Sequence, residues 1–268
     1  MAYVLESSRS FLYANPELEL SGDRVDRFKK LIQQRVSGQP IAYLTGSCEF
    51  WSLPLRVNPA VLIPRRETEL LVEAALQKIP PTAHWRIADL GTGSGAIALA
   101  LASERNHCEI HATDISVAAI EVARENARRL GLSRIRFYCG SWNQPLEGQF
   151  QMIVSNPPYI DADDPHIQMG DLRFEPAEAL TPGTDGLNAL RNISRTSQAM
   201  LVDDGWLMLE HGWQQGQQSR TILHENGFIN IETLRDLQGH ERVTMAQKPQ
   251  GFNVASGSGA HPDPCRQR

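Results

Sequence analysis

The sequence predicts an α/β chain whose main body is a doubly wound, mostly parallel sheet. Three observations predict it. Apolar strand-length runs alternate with amphipathic helical stretches from Trp85 to Gln247, the spacing that builds parallel sheets. A glycine-rich turn, Asp89-Leu90-Gly91-Thr92-Gly93-Ser94-Gly95, joins the first of these strands to the first helix. Ahead of them lies a helical segment, separated from the rest by short apolar runs broken by proline and glycine.

The elements follow in order. Residues 1–38 read as helical, with Val25, Phe28 and Ile32 on one face, Ser21 as N-cap and Gly38 as C-cap. Residues 39–64 read as a hairpin linker. The runs Ile41–Leu44, Phe50–Val57 and Val61–Ile63 suggest short strands, punctuated by Gly46, Pro54, Asn58-Pro59 and Pro64. Residues 65–250 form the sheet domain. Leu70, Leu71, Ala74 and Ala75 mark its first helix. Trp85–Leu90, Glu109–Thr113, Arg134–Tyr138, Met152–Ser155 and Trp206–Leu209 are strands. Gly95–Glu104, the stretch capped by Ser116, and Gln214–Glu225 are helices. Ile229–Leu234 and Val243–Gln247 follow in quick succession, which fits an antiparallel strand at one edge. Residues 251–268 are Gly, Ser, Pro and polar, the composition of a disordered tail.

Composition excludes several classes. The 268 residues are 41% hydrophobic and 21% charged with a net charge of −5, which suits a globular chain rather than a disordered one and disfavours binding duplex DNA by phosphate neutralisation. Cys48, Cys108, Cys139 and Cys265 include no C-x-x-C pair, so no zinc site is expected and the thiols read as reduced. The start, Met1-Ala2-Tyr3-Val4-Leu5-Glu6, lacks a basic stretch followed by an apolar one, so no signal peptide and a cytoplasmic location are expected.

The glycine turn lets a ligand approach bare backbone. Asp114 ends the next strand, 19 residues after Gly95, where a carboxylate accepts ribose hydroxyls. Asp89 beside the turn would repel a pyrophosphate but suits a ligand carrying an ammonium group. S-adenosylmethionine has a ribose and an ammonium and no phosphate. A glycine turn that merely packs helix on strand is the plainer alternative, and the paired Asp114 speaks against it.

Asn156-Pro157-Pro158-Tyr159 ends a strand, so it lies at the carboxyl edge of the sheet, where open α/β sheets bind ligands. The prolines fix the backbone. Asn156 offers a carbonyl acceptor and an NH₂ donor, and Tyr159 offers a ring face. Together they can hold a planar amide or an aromatic amino group. Two oriented acceptors stabilise the positive charge that grows on nitrogen as it attacks a methyl sulfonium, by positioning and electrostatic preorganisation. His211 ends a strand with no Ser or Cys partner in any motif and reads as structural. His84, His107 and His111 lack metal-ligand spacing, and Phe50 and Trp51 read as hairpin core.

Asp89–Gly95 with Asn156–Tyr159 resembles the amino-methyltransferases that use S-adenosylmethionine. Gln39–Gly46, Phe50–Leu55, Leu62–Glu69 and Leu209-Glu210-His211-Gly212 narrow the resemblance to the PrmC/HemK family, from about Phe11 to Gln247. That family methylates the glutamine of the Gly-Gly-Gln motif in peptide chain release factors. The resemblance implies a class I methyltransferase-like sheet of seven strands, and a helical domain at residues 1–38 that helps dock the release factor. It implies that Gly91, Thr92, Gly93, Ser94 and Gly95 line the cofactor pocket, that Asp114 holds the ribose, and that Trp142 lies against adenine. Asn156, Pro157, Pro158 and Tyr159 would hold the substrate amide, with Asn156 also near the methionine end. Three departures stand out. The family usually has Pro where Arg66 stands and Asp where Ser141 stands, and the helical region before Gln39 is about two helices short.

Other functions compete. An adenine-amino methyltransferase on DNA or RNA uses the same Asn-Pro-Pro-Tyr element, but needs a basic groove that the charge pattern does not supply. A non-catalytic release-factor-binding module leaves intact Asp114 and Asn156 unexplained. A nicotinamide oxidoreductase is disfavoured by Asp89 and does not account for Asn156–Tyr159.

Overall fold

A computed structural model of the chain describes residues 1–181 and 185–251. The first segment carries α1 (Ala2–Leu5), α2 (Arg9–Ala14), α3 (Gly22–Val36) and α4 (Ile41–Thr45). Helix α3 starts after Ser21 and stops where Gly38 takes φ +100°, which a residue with a Cβ resists. None of its residues is fully buried, and Ile32 and Val36 remain exposed.

The linker is a hairpin, β1 (Ser47–Phe50) and β2 (Leu53–Arg56), paired antiparallel. Trp51 and Ser52 both take positive φ, the tight turn whose twist matches the strands. Phe50 is buried and Trp51 donates its indole N–H to Glu104, so both serve packing. Two expectations fail here. Ile41–Leu44 forms helix α4 rather than a strand. It runs from Pro40 to Gly46 in the left-handed region, and these two end signals override the strand preference of the apolar run. Val61–Ile63 pairs with no strand. The Tyr43 hydroxyl donates to the Val61 carbonyl, and the Ile63 N–H donates to Glu175.

The main body contains α5 (Glu69–Lys78), β3 (Arg86–Leu90), α6 (Ala96–Glu104), β4 (Glu109–Asp114), α7 (Val117–Arg129), β5 (Arg136–Cys139) and β6 (Phe150–Ser155). It continues with α8 (Ala177–Leu180), α9 (Asn188–Met200), β7 (Leu201–Glu210), α10 (Gly216–Glu225), β8 (Ile229–Arg235) and β9 (Glu241–Gln247). The sheet has seven strands in the order β5-β4-β3-β6-β7-β9-β8. Only β9 runs antiparallel to its neighbours β7 and β8; the closely spaced last strands do supply an antiparallel strand, but it lies one place in from the edge, which β8 occupies. Each face is covered. Ile87, Ile110, Met152 and Val154 pack under α5 and α6. Ala88, Leu90, Ile153 and Leu207 pack under α9 and α10. This alternation along each strand is the period of two that a sheet buried on both faces requires.

Helix α9 has no counterpart among the expected elements. Its buried stripe includes Ser194, Ser197 and Gln198 beside Leu190 and Ile193, and its helical period is clear, with Arg191 and Arg195 exposed on the other side. The tail expected to be disordered lies outside the described residues beyond Gly251. Chain order reverses between β3 and β6, the crevice where doubly wound sheets bind ligands. The glycine turn and the Asn156 element lie at the carboxyl ends of these two strands.

Candidate active site

The glycine turn is built from beneath. The N–H groups of Gly91 and Thr92 both donate to the Thr113 carbonyl, at 2.9 and 2.8 Å, which closes the loop over the end of β4. Asp89 is fully buried and Oδ2 accepts from the Thr92 hydroxyl at 2.6 Å and the Ala98 N–H at 3.2 Å. The carboxylate therefore braces the loop and the start of α6, rather than facing a ligand as the sequence suggested. Gly95, at φ +86°, lets α6 approach α7. A Cβ there would meet Leu99 at 3.1 Å and Ala123 at 3.2 Å.

Burial pushes the Asp89 carboxyl up to about 7, against the lowering effect of the Thr92 and Ala98 bonds. Its Oδ1 has no hydrogen-bond partner among the described residues. In the unfolded chain the same carboxyl ionises near 3.8. The native state thus binds its proton more tightly, and stability falls as pH rises from about 4 through about 7. Asp89→Asn is expected to flatten this fall in the thermal midpoint, leaving the parts contributed by the other carboxyls that burial raises, Asp114, Glu175 and Glu210. An unchanged slope would show that Asp89 does not titrate in this range.

Asp114 ends β4 with both oxygens engaged. Oδ2 accepts the Gly93 N–H at 2.8 Å and Oδ1 the Ser116 N–H at 2.9 Å. The Ser116 hydroxyl in turn caps α7 by accepting from Ala119. Burial raises the Asp114 carboxyl above its ordinary range, and the two N–H groups offset part of that.

A cavity of 690 Å³ opens above these groups. Its walls include Gly91, Gly93, Asp114, Trp142, Asn156 and Pro158, joined by Val61 and Leu62 of the linker and by Glu178 of α8. Trp142 takes φ +49°, and a Cβ on Gly91 would sit 3.4 Å from its ring. Of the residues singled out by sequence, Gly91, Gly93, Asp114, Trp142, Asn156 and Pro158 come together here. Thr92, Ser94 and Gly95 stand behind the loop. Thr92 bonds Asp89, and the Ser94 carbonyl accepts from Asn126.

The Asn156 element is locked to its surroundings. The Ser155 hydroxyl donates to the Leu90 carbonyl at 2.6 Å and ties β6 to β3. The Asn156 NH₂ donates to the Thr68 hydroxyl oxygen at 3.0 Å. Gln215 donates to the Tyr159 carbonyl at 3.0 Å. Glu210 is buried at the end of β7 beside the Thr68 and Tyr159 hydroxyls, and its Oε2 has no hydrogen-bond partner among the described residues. Burial pushes its carboxyl up to about 7, opposed by the neighbouring Thr68 hydroxyl and by Arg242. Pro157 is buried, and neither it nor the Tyr159 side chain forms a wall of the cavity. Thr68 and Glu210 are additions to the site. Both lie in segments that carry the family resemblance, but their meeting is a long-range contact that no local pattern shows. His211 is held by the Gly212 carbonyl and the Thr244 hydroxyl, the structural role its sequence context suggested.

The segment after Tyr159 ties the cavity to the N-terminal helices. Glu175 pairs with Arg65. Arg35 pairs with Asp171 at 2.8 Å, and Arg173 donates to the Ser37 carbonyl at the end of α3. Among the described residues no helix is long and apolar enough to cross a membrane.

Comparison with known proteins identifies the family. Residues 1–46 match the model of the PrmC N-terminal domain, and residues 66–183 match that of the methyltransferase small domain. The chain is 47% identical to the release factor glutamine methyltransferase of Xylella fastidiosa, over 94% of this chain and 92% of that one. It is 49% identical to the protein of the same name from Salmonella typhimurium, over 92% of this chain and 89% of that one. Among solved structures, a methyltransferase from Pyrococcus furiosus superposes with a TM-score of 0.58 over 85% of this chain and all of that one, at 16% identity, a likeness of fold. Sequence identity near one half along almost the whole of both chains places this protein in the release factor glutamine methyltransferase family.

Proposed function

We infer that the chain methylates the side-chain amide nitrogen, N5, of the glutamine in the Gly-Gly-Gln motif of peptide chain release factors, with S-adenosyl-L-methionine as methyl donor. The observation that carries this reading is the anchored Asn156. Its NH₂ is held by Thr68, which leaves its carbonyl as an acceptor at the wall of the cavity, in a chain of this family.

The residues present fit the donor. Asp114 and Glu178 stand in the cavity walls, and among the described residues no Lys or Arg does. Such a site attracts a cation and repels a phosphate. A Cβ on Gly93 would meet nothing within 4 Å, so bare backbone faces the cavity. Asp114 would take the ribose hydroxyls, Trp142 would pack along the base, and Gly91 and Gly93 would let the chain of the ligand pass close to the backbone. Thr92, Ser94 and Gly95 shape that loop. When bound, S-adenosylmethionine supplies a methyl group activated by a sulfonium.

The chain's own residues hold the acceptor. The Asn156 carbonyl accepts a hydrogen of the substrate amide at the cavity wall, Pro158 keeps the turn rigid, and the Pro157 backbone carbonyl and the Tyr159 ring, next to that wall rather than in it, complete the clamp once the glutamine side chain has entered beside Asn156. These groups fix a planar nitrogen in line for attack and stabilise the charge that grows on it. Residues 1–38 are read as the docking domain, 39–64 as the linker and 65–250 as the catalytic domain. The activity is one of the cytoplasm, where release factors work.

Incubation of a purified release factor with this protein and S-adenosylmethionine tests the reading. Intact-mass analysis should show the gain of one methyl group, mapped to the Gly-Gly-Gln peptide. A release factor with asparagine in place of that glutamine should accept none, because the shorter arm holds its amide away from the donor. Duplex DNA and transfer RNA should also accept none. Methylation of adenine in either at a comparable rate would overturn this reading in favour of a nucleic-acid methyltransferase.

A further inference from the structure

One segment beside the cavity is fastened by charge rather than by a core. The chain leaves the body at Ile160 and returns at Leu180, where the Leu180 carbonyl accepts the Ile160 N–H at 3.0 Å. Between these points lie two single turns of 3-10 helix, Pro165–Gln168 and Leu172–Phe174, and most of α8. None of these residues belongs to a strand. Among the described side chains of residues 161–179 only Glu175 is buried, at 7% exposure. A stretch with so little buried apolar surface has few contacts to hold it and opens readily.

Glu175 decides where this segment sits, because both of its oxygens reach the linker. Oε1 accepts from the Arg65 guanidinium, and Oε2 accepts from the Ile63 N–H at 3.1 Å. Val61 and Leu62, just before these groups, form one wall of the cavity. Pro176, Glu178 and Ala179, just after Glu175, form another. One carboxylate therefore joins two walls at a point next to both. Burial raises its carboxyl above the ordinary range, and Arg65 and the Ile63 N–H offset part of that.

The same segment reaches the N-terminal helices. Asp171 pairs with Arg35 at 2.8 Å, and the Arg173 guanidinium donates to the Ser37 carbonyl at 2.7 Å. Gly38 makes room for this contact, since a Cβ there would collide with that guanidinium.

We propose that Glu175 is a positioning residue that couples two binding events: by joining the linker to the 161–179 segment, it makes a filled cofactor cavity and a protein docked on the N-terminal helices favour one closed arrangement. A ligand that fills the cavity touches both walls and stabilises the Glu175 bonds. With the segment held there, Asp171 and Arg173 meet the end of α3 and fix its direction. Coupling through a shared arrangement is reciprocal, so each partner tightens the other by the same factor. The docked protein is the release factor of the functional reading above, on which this part rests.

Calorimetric titration with S-adenosylhomocysteine, with and without a release factor, tests the coupling. In the native chain the release factor should lower the Kd for S-adenosylhomocysteine by roughly fivefold or more, the lower end of coupling between sites. S-adenosylhomocysteine should lower the Kd for the release factor equally. Glu175→Gln keeps the shape and loses the charge that holds Arg65. It should raise the Kd for S-adenosylhomocysteine by roughly fivefold or more and leave about twofold coupling or less. Arg65 is partly exposed and regains water in this variant, so the thermal midpoint should stay near native. Asp171→Ala together with Arg173→Ala cuts only the tie to α3. S-adenosylhomocysteine alone should then bind within about threefold of native, as exposed pairs contribute little, while the coupling is lost. A residue that merely supports the fold does not separate the two effects in this way.

Hydrogen exchange needs neither variant nor release factor. S-adenosylhomocysteine should slow exchange of the Ile63 amide and of the last turn of α3 in the native chain. Absence of coupling in the native chain, coupling that survives in Glu175→Gln, native affinity for S-adenosylhomocysteine in that variant, or exchange that ignores the ligand would each overturn the proposal. A native chain that binds S-adenosylhomocysteine but no release factor contradicts the functional reading instead, and the exchange result then decides whether Glu175 links the cavity to α3. A native chain that binds no S-adenosylhomocysteine removes both.

Discussion

Asn156→Ala should lower turnover on a release factor by about 10²–10³, the usual cost of removing one preorganised polar group at a developing charge. The reason lies in how the side chain is tied. Its NH₂ is taken by Thr68, so its carbonyl is the one polar end left to meet the substrate. Alanine removes that acceptor and leaves the rest of the turn in place. Ser155 still holds β6 to β3, and Gln215 still holds the Tyr159 carbonyl. S-adenosylhomocysteine should bind nearly as before, because the glycine loop and Asp114 are held by other partners. Steady-state kinetics and calorimetric titration separate the two effects. Tyr159→Phe should cost less, since it keeps the ring. Full activity in Asn156→Ala would remove this residue from the chemistry.

What could be read before the structure was whatever sits in contiguous sequence. The glycine turn, Asp114 at the end of the next strand and the Asn156 element are local motifs, and the sheet places all three at one edge. Local pattern failed where two signals compete. Ile41–Leu44 has strand composition, yet Pro40 and Gly46 bracket a single turn of helix. Helix α9 is a different case: its period is clear in the sequence, with Leu190 and Ile193 on the buried face and Arg191 and Arg195 on the exposed one. Asp89 was legible as important but not in its role. Charge alone suggested a ligand contact, whereas the fold sets the carboxylate beneath the loop as an acceptor for Thr92 and Ala98. Thr68 and Glu210 show the harder limit. Each is an ordinary residue in its own segment, and only the tertiary fold brings Thr68 to Asn156 and Glu210 beside Thr68. A network of this kind is a property of the tertiary fold.

Asp114→Ala should weaken S-adenosylhomocysteine binding by roughly 10- to 150-fold, the equivalent of about 1.5–3 kcal/mol for hydrogen bonds to a charged group. The carboxylate does two things at once. It lines the cavity, and it holds the Gly93 and Ser116 N–H groups, so it also sets the shape of the loop it faces. Asp114→Asn separates these roles, because an amide keeps an acceptor for one N–H but loses the charge. Stability should move the other way from binding. Burial already raises the Asp114 carboxyl, so the free protein holds its charge at a cost, and neutralising it relieves that strain. By the same shift, ligand binding that needs the carboxylate should weaken as pH falls through its raised native pKa, and Asp114→Asn should lose this dependence. A variant that binds poorly yet melts no lower than the native protein is the mark of a group kept for its ligand rather than for the fold. Unchanged affinity in Asp114→Ala would place the ribose elsewhere in the cavity, and a large drop in thermal midpoint together with affinity would show that Asp114 acts only by shaping the loop.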